Sequence, residues 1–172
     1  MKIFLIGLPG SGKTTLGKQV SSLLKIPFVD LDEAIEKSER RKIAEIFTES
    51  GEGYFREVES HLLKKWTESN SHFLMATGGG TSCFFDNMKM MNETGTTIFL
   101  DVPAMEIAYR ISTSESKDRP LFSKMSSDVL KDQIETLRTR RLAYYKQSMQ
   151  IVSGKDIGPK ELLAIIRTES PP

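Results

Sequence analysis

Residues 7–14 read GLPGSGKT, which is the complete pattern G-x-x-x-x-G-K-[ST]. The apolar run KIFLIG at residues 2–7 leads into this stretch and predicts a buried strand, while apolar residues at helical spacing follow it at Leu16, Val20 and Leu23. Glycines let the backbone turn tightly, so that successive N–H groups point into one concavity at the positive end of the helix. The stretch therefore predicts a phosphate-binding loop between a strand and a helix.

A loop of this kind binds nucleotide phosphates without naming a reaction, because kinases, GTPases and motor ATPases share it. We expect Lys13 to reach the β- and γ-phosphates and the hydroxyl of Thr14 to bind Mg²⁺. The N-K-x-D segment needed for GTPase-type base recognition does not occur in the sequence. Asp101 has two interpretations, an acid that assists the metal or a structural residue that caps the turn into Pro103, and we favour the structural one.

The order of apolar segments predicts the fold class. Continuous apolar runs indicate strands that are buried on both faces, and segments with helical spacing alternate with them. The predicted strands are KIFLIG (2–7), PFVD (27–30), HFLMAT (72–77), TTIFLD (96–101) and MQIV (149–152). Alternation of this kind predicts an α/β fold, with a five-stranded parallel sheet between two layers of helices in a three-layer αβα sandwich.

Length and charge narrow the class of protein further. The 172 residues are enough for one domain, and 24 Lys+Arg against 23 Asp+Glu give a net charge of +1, which argues against nucleic acid or a membrane surface as partner. The first apolar run is too short for a signal peptide or a membrane span. A single cysteine, Cys83, allows no internal disulfide, so we expect a cytoplasmic protein.

Polar residues gather where the predicted strands end. Asp30 and Asp32 follow the second strand, and ligands of open α/β sheets bind at such strand ends. Asp32 could accept a proton from a hydroxyl nucleophile or bind the water shell of Mg²⁺, but a bare D-x-D is as often the N-cap of the next helix. Three glycines after the third strand, Gly78 to Gly80, would let a ligand lie directly on the backbone.

Other candidate residues are individually weak signals. Arg56 and Glu59 are spaced i, i+3 on a predicted helix, so the carboxylate can hold the guanidinium, although such pairs are usually surface ion pairs. The polar segment 112–125 has no apolar periodicity and predicts a mobile surface loop. Arginines late in the helix predicted for about residues 127–147 most often form a solvated face.

In this order and at these spacings the motifs resemble the shikimate kinases, which are small phosphate-loop kinases related to the nucleoside monophosphate kinases. The resemblance covers nearly the whole chain and rests on the motifs GLPGSGKTT, DLD, GEGYFREVE, ATGGG, DRPLF and RRLAYY. It implies one domain over residues 1–172 with the phosphate-loop kinase fold, a mobile lid at about 112–125 and a substrate-binding helical segment at about 31–60. It also implies transfer of the γ-phosphoryl group of ATP to the 3-hydroxyl of shikimate.

The resemblance assigns residues to the nucleotide and to Mg²⁺. The metal ligand would be Thr14, the catalytic groups would be Lys13, Asp32 and Arg119, and Arg119 would reach the transferring phosphate from the lid. Arg110 is similar to an adenine-side arginine of the family. The implied ATP-binding residues are Gly10, Ser11, Gly12, Lys13, Thr14, Thr15, Arg110 and Arg119.

It also assigns residues to shikimate, which carries one carboxylate and three hydroxyls. Arg56 and Arg141 would clamp the carboxylate, Glu59 would orient Arg56, and Asp32 would meet the hydroxyls and orient or deprotonate the nucleophile. Planar guanidinium groups suit such a clamp. The implied shikimate-binding residues are Asp32, Arg56, Gly78, Gly79, Gly80 and Arg141.

Two departures from the family pattern leave alternatives open. Ala143 stands where the family often has proline after the arginine, so Arg140 remains an alternative to Arg141. Towards the C-terminus, residues 153–156 (SGKD) offer no obvious arginine to stack on adenine, and Lys155 is only a candidate there. His61 and His72 lack neighbours at metal-ligand spacing. Cys83 is interpreted as a semi-buried thiol within reach of modifying reagents, rather than a nucleophile.

Two other functions compete with this interpretation. A related small-metabolite kinase, such as a gluconate kinase, would share the loop and the fold but not the combination of DLD, FR and TGGG. A non-catalytic ATP-binding regulator could use the same scaffold as a switch, although every acid and arginine needed for transfer is present. For a chain with one lid and one complete site we expect a monomer.

Overall fold

The computed structural model describes residues 1–113 and 127–168 of the chain. Most of the predicted lid, residues 114–125, and with it Arg119, lies outside the described residues. The prediction that the loop begins at residue 112 is wrong, because the preceding helix continues to Thr113. The hydroxyls of Ser112 and Thr113 both donate to the carbonyl of Tyr109, which continues the last turn of that helix with side-chain hydrogen bonds.

Five parallel strands form one sheet, as the apolar runs predict. Their order across the sheet is β2-β3-β1-β4-β5. The strands are β1 (Lys2–Ile6), β2 (Phe28–Asp30), β3 (Phe73–Ala76), β4 (Thr96–Asp101) and β5 (Gln150–Ser153). The helix after β1 (residues 13–24) and the helix after β3 (residues 87–94) pack on opposite faces of the sheet, so the carboxyl ends of the neighbouring strands β1 and β3 open a crevice between the two connections.

Seven α-helices lie in the described part of the chain, together with a short 3₁₀ turn at Thr81–Cys83. The helices are α1 (Lys13–Leu24), α2 (Leu31–Glu39), α3 (Ile43–Glu68), α4 (Asn87–Thr94), α5 (Ala104–Thr113), α6 (Ser127–Tyr145) and α7 (Pro159–Thr168). Among residues 1–113 and 127–168, no helix combines the length and the apolar character needed to cross a membrane.

The helices cover both faces of the sheet because successive strand residues point to opposite sides. On β1, Ile3 and Leu5 pack in one core with Leu16 of α1 and Leu162 of α7. Phe4, also on β1, belongs to the other core. That second core also receives apolar residues from α2 to α6, including Ile35, Ile46, Leu63, Met88, Ile107 and Ile134. The three-layer αβα sandwich predicted from the apolar runs is confirmed.

Within the predicted substrate-binding segment, residues 31–60, the chain forms α2 and the first two thirds of α3. Gly51 interrupts α3, because its φ of 81° and ψ of 170° are non-helical. Helical structure resumes immediately after Gly51. The break divides α3 into a first part and a longer second part that carries Arg56 and Glu59.

Candidate active site

The phosphate-binding loop connects β1 to α1 at the crevice between β1 and β3. Gly10 and Gly12 have φ of 85° and 95°, values that side chains disfavour, and Gly12 is the N-cap of α1. The ammonium group of Lys13 is buried and donates to the carbonyls of Gly7 and Leu8, each at 2.8 Å. Thr15 is exposed on the first turn of α1. The predicted loop residues therefore lie together at the N-terminus of a helix.

Asp30 combines the two interpretations that the D-x-D motif leaves open. Its Oδ1 accepts hydrogen bonds from the backbone N–H groups of Asp32 and Glu33, which makes it the N-cap of α2. Its Oδ2 accepts from the hydroxyl of Thr14 at 2.8 Å. Asp30 thus connects the start of α2 to Thr14, the expected metal ligand. Both of its carboxylate oxygens are used in these contacts, so Asp32 is the acid of the motif that remains as the candidate proton acceptor.

Asp32 lies on the first turn of α2 and faces charges of both signs. Burial, with Asp30 and Glu59 nearby, raises the pKa of Asp32 to about 6, while Lys13 and Arg56 act in the opposite direction. A carboxyl group with this pKa is largely ionised at neutral pH and is a better proton acceptor than an ordinary aspartate.

Each glycine of the Gly78–Gly80 turn lies against a different part of the site. A Cβ atom on Gly78 would lie 2.8 Å from Oε1 of Glu59, 3.0 Å from Oδ1 of Asp32 and 3.0 Å from the hydroxyl of Thr81. One on Gly79 would meet Pro9, and one on Gly80 would lie 2.6 Å from Nη2 of Arg56. The turn can approach these groups because it has no side chains.

Arg56 and Glu59 form a buried pair on α3 rather than a surface ion pair. Nη1 of Arg56 donates to Oε2 of Glu59 at 2.8 Å, and Glu59 is fully buried. Nε and Nη2 of Arg56 also donate to Glu52, and its guanidinium lies over the rings of Phe84 and Phe55 at 4.3 and 4.9 Å. The guanidinium is therefore held in a defined plane at the turn.

Arg141 reaches the same turn from α6. Its Nη1 would lie 3.2 Å from a Cβ atom on Gly79, and the hydroxyl of Tyr145 donates to the Gly79 carbonyl at 2.6 Å. Burial raises the pKa of that hydroxyl, although Arg141 opposes the rise. Arg140 is exposed, while Arg141 is partly buried. The structure thus brings Arg141, not its neighbour, to the glycine turn, where Arg56 lies against the next residue, Gly80.

Arg110 lies at the other end of the phosphate-binding loop. Its Nη1 donates to the Ser11 carbonyl at 3.4 Å, its Nε is paired with Glu106 at 2.7 Å, and its Nη2 contacts the Lys155 carbonyl. The guanidinium therefore bridges the loop and the segment between β5 and α7. Lys155 is exposed and its carbonyl, not its ammonium group, makes this contact.

Asp101 has a structural role, because its Oδ1 accepts a hydrogen bond from Nη2 of Arg138 on α6 at 2.8 Å.

His61 and His72 are exposed, and His72 contacts the amino group of Met1. Burial raises the pKa of the Cys83 thiol above its usual value, which disfavours the nucleophilic thiolate.

Sequence reasoning missed Thr81, whose buried hydroxyl donates to Glu59, and Glu52, which holds Arg56 from the solvent side. Glu52 could have been found from its i, i+4 spacing to Arg56. Thr81 follows the glycines directly, but nothing in its own pattern points to a partner 22 residues earlier.

Comparisons with known proteins agree with this geometry. A family model described as "Shikimate kinase" matches residues 9–168. The chain is 41% identical over 151 residues to the shikimate kinase of Bacteroides fragilis, covering 88% of this chain and 83% of that protein.

Two solved structures are similar over nearly the whole chain. A crystal structure of shikimate kinase from Bacteroides thetaiotaomicron has a TM-score of 0.89 and 35% identity, covering 98% of this chain and 96% of that one. Shikimate kinase from Acinetobacter baumannii in complex with shikimate has a TM-score of 0.83 and 28% identity, covering 98% and 90%. With the phosphate-binding loop, Arg56, Arg141 and the glycine turn gathered at one crevice, and with the match of the family model over residues 9–168, this chain belongs to the shikimate kinase family.

Proposed function

We propose that this chain transfers the γ-phosphoryl group of ATP to the 3-hydroxyl of shikimate, giving shikimate 3-phosphate and ADP on the route to chorismate and the aromatic amino acids. One observation carries the proposal. The loop that carries Lys13, the Asp32 carboxylate and the guanidinium groups of Arg56 and Arg141 all lie around the glycine turn at the carboxyl ends of β1 and β3. Membership of the shikimate kinase family supports the same activity.

The substrate carboxylate binds between Arg56 and Arg141, and the ring hydroxyls extend toward the backbone of Gly78–Gly80 and toward Asp32. Guanidinium groups bind a carboxylate with two parallel hydrogen bonds, so the pair both attracts and orients the acid. Asp32 then lies on the hydroxyl side of the ring. The roles assigned to these residues rest on their placement around one turn.

In the reaction, Asp32 accepts the proton of the 3-hydroxyl while that oxygen attacks the γ-phosphorus of ATP. The new bond joins the 3-oxygen to phosphorus, and the bond from phosphorus to the β,γ-bridging oxygen breaks, so ADP leaves with the electron pair. Lys13 stabilises charge on the β- and γ-phosphate oxygens. Phosphoryl transfer needs little more than this positioning and charge stabilisation.

The ATP site is formed by Gly10, Ser11, Gly12, Lys13, Thr14 and Thr15 on the loop and Arg110 beside it. Oxygen ligands suit Mg²⁺, and the Thr14 hydroxyl next to Asp30 fits that preference. When bound, magnesium neutralises charge on the β- and γ-phosphate oxygens. The similarity of the DRPLF motif to the family supports a lid within residues 114–125, with Arg119 reaching the phosphate and the closed lid excluding water.

We further propose one catalytic domain that acts as a cytoplasmic monomer with small-molecule ligands. The connection of all five strands into one sheet supports a single domain. A net charge of +1 supports small metabolites over nucleic acid or a membrane surface. The lone cysteine is consistent with a reducing compartment.

An assay that couples ADP release to a spectroscopic signal tests the function. ATP and Mg²⁺ are held constant, and shikimate, quinate, gluconate and no acceptor are compared at equal concentration. We expect rapid turnover with shikimate alone, and NMR of the product should show phosphate on the 3-hydroxyl. Turnover only with gluconate would favour another metabolite kinase, and ATP binding without turnover would favour a regulatory protein.

A further inference from the structure

Thr81 is the first residue after the glycine turn, and its side chain is fully buried. Its hydroxyl donates a hydrogen bond of 2.6 Å to Oε1 of Glu59. The other carboxylate oxygen of Glu59, Oε2, accepts from Nη1 of Arg56. One carboxylate therefore connects the turn that follows β3 to the arginine expected to bind the substrate.

The backbone of Thr81 is itself held on two sides. Its N–H donates to the Gly78 carbonyl at 3.2 Å, and its carbonyl accepts from Nδ2 of Asn87 at 2.9 Å. Asn87 is fully buried at the start of α4, and its Oδ1 accepts from the hydroxyl of Ser60 on α3. The backbone that carries the Thr81 hydroxyl is therefore held in place by Asn87 of α4, and Asn87 is bonded to the helix that carries Glu59.

The surroundings of Glu59 explain why its Oε1 atom needs a hydrogen-bond donor. Oε1 of Glu59 and Oδ1 of Asp32 lie on the same side of Gly78, at 2.8 and 3.0 Å from the position of a Cβ atom on that residue. Two carboxylate oxygens that both lie within 3.0 Å of one point repel each other, and within the described residues the hydrogen bond from Arg56 to Glu59 goes to Oε2. Without the hydroxyl, Oε1 would be a buried charged acceptor facing another carboxylate, a costly arrangement that favours rotation of the Glu59 side chain.

We propose that Thr81 is a positioning residue for substrate binding, because its hydroxyl fixes the Glu59 carboxylate and thereby the plane of the Arg56 guanidinium. It touches neither substrate nor nucleotide in this role. The inference rests on the proposed function, since it assigns Arg56 to the shikimate carboxylate. Loss of the Thr81 hydroxyl should therefore weaken shikimate binding and leave ATP binding unchanged.

Thr81→Val tests this, because valine keeps the shape of threonine and removes the donor. We expect the KM for shikimate to rise about tenfold, in line with loss of a hydrogen bond to a charged group, with the KM for ATP changed less than about twofold. Thr81→Ser retains the hydroxyl and should restore the KM for shikimate to within about threefold of the unsubstituted enzyme.

Thr67→Val is the matched control. Thr67 is also buried on α3, but its hydroxyl donates only to the Lys64 carbonyl of its own helix, at 2.8 Å. We expect this variant to leave both KM values unchanged. An unchanged KM for shikimate in Thr81→Val, or equal increases in the KM values of both substrates, would overturn the proposal.

Two further outcomes are informative. Should Thr81→Val not fold, Thr81→Ala removes the same donor without adding volume, and failure of both to fold while Thr81→Ser folds would overturn the proposal by assigning the hydroxyl to stability. Absence of shikimate turnover in the unsubstituted enzyme would refute the proposed function itself. Turnover with an unaffected Thr81→Val variant would refute only the role of Thr81.

Discussion

At the scale of single residues, the surroundings that make Asp32 a better proton acceptor also lower the stability of the folded protein. Its carboxyl group is desolvated and lies near Asp30 and Glu59, so ionisation is disfavoured despite Lys13 and Arg56. The pKa of about 6 exceeds the ordinary value of 3.8. An unfolded chain has the ordinary value, so the ionised carboxylate destabilises the folded protein at pH values above about 6.

Asp32→Asn should therefore lower activity and raise stability together. We expect kcat to fall at least about 100-fold, since the proton acceptor is removed. At pH 8 the free energy of unfolding should rise by at most about 3 kcal/mol, as each pKa unit corresponds to about 1.4 kcal/mol. This gain should shrink between pH 6 and about 4, because Asp32 becomes protonated in the unsubstituted protein.

Urea denaturation at pH 8, 6 and 4 measures the stability of both proteins, and the coupled assay measures kcat. A rate close to that of the unsubstituted enzyme would remove Asp32 from the chemistry. Equal stability of the two proteins at all three pH values would contradict the raised pKa.

The two adjacent arginines of α6 give a second test at this scale. Arg141 lies beside Gly79, whereas Arg140 is exposed. Arg141→Lys should raise the KM for shikimate about tenfold and leave the KM for ATP almost unchanged, because an ammonium group cannot replace a planar, two-donor guanidinium. Arg140→Lys is the matched control and should change neither KM in steady-state kinetics. The reverse result would assign the carboxylate to Arg140.

At the scale of secondary-structure elements, the break in α3 sets the direction of the helix that carries Arg56. Arg41, between α2 and α3, pairs with Glu39 at 3.0 Å and with Glu49 at 3.1 Å, and Tyr54 donates to Glu39 at 2.7 Å. These contacts connect residues on both sides of Gly51. Partly exposed ion pairs contribute little individually, so the backbone of Gly51 is the main determinant of the break.

Two glycines of this region should respond oppositely to the same substitution. Gly51 has φ of 81° and ψ of 170°, a region that is almost restricted to glycine, and a Cβ atom there would meet nothing within 4 Å. Gly51→Ala should destabilise the fold by about 1–3 kcal/mol through backbone strain alone. Gly53 also has open space around it but lies in helical backbone, so Gly53→Ala should stabilise by about 0.5–1 kcal/mol.

Urea denaturation of both variants at one pH measures this difference. Because neither methyl group would collide with a neighbour, the comparison isolates backbone conformation. Destabilisation of similar size in both variants would show that packing, and not the conformation of Gly51, governs the break.

At the scale of the whole molecule, the strand order brings together segments that are far apart in sequence. The order β2-β3-β1-β4-β5 places the loop after β1 next to the glycine turn after β3, with Asp30 at the end of β2 and Asp32 just beyond it on the same edge. α6 then brings Arg141 to that edge, and the Arg138–Asp101 ion pair at 2.8 Å connects α6 to the end of β4. The site is thus a product of parallel strands that all end at one side.

Ligands that bind only to this assembled edge should stabilise the whole fold. At concentrations about 100 times their dissociation constants, ATP with Mg²⁺ and shikimate should each add about 2.7 kcal/mol to the free energy of unfolding. For a chain of this size we expect Tm to rise by about 5–10 °C, measured by differential scanning fluorimetry. Gluconate should give no shift, and Tm should not depend on protein concentration if the chain is a monomer.

The sequence by itself determined the phosphate-binding loop, the five strands, the glycine turn and the helix carrying Arg56 and Glu59. These features depend on residues that are neighbours in the chain, through glycine conformations, apolar runs and helical spacing. Each observed strand bound agrees with its apolar run to within one residue. The family resemblance carried by the same motifs is confirmed by the comparisons.

Only the tertiary structure decided which side chains from distant parts of the chain meet. It brought Arg141 and not Arg140 to the glycine turn, joined Asp30 to Thr14, and paired Asp101 with Arg138. It also placed the Thr81 hydroxyl on Glu59. Such contacts depend on the packing angles and rotation of whole helices against the sheet, which many distant residues set together, so no local pattern in the chain encodes them.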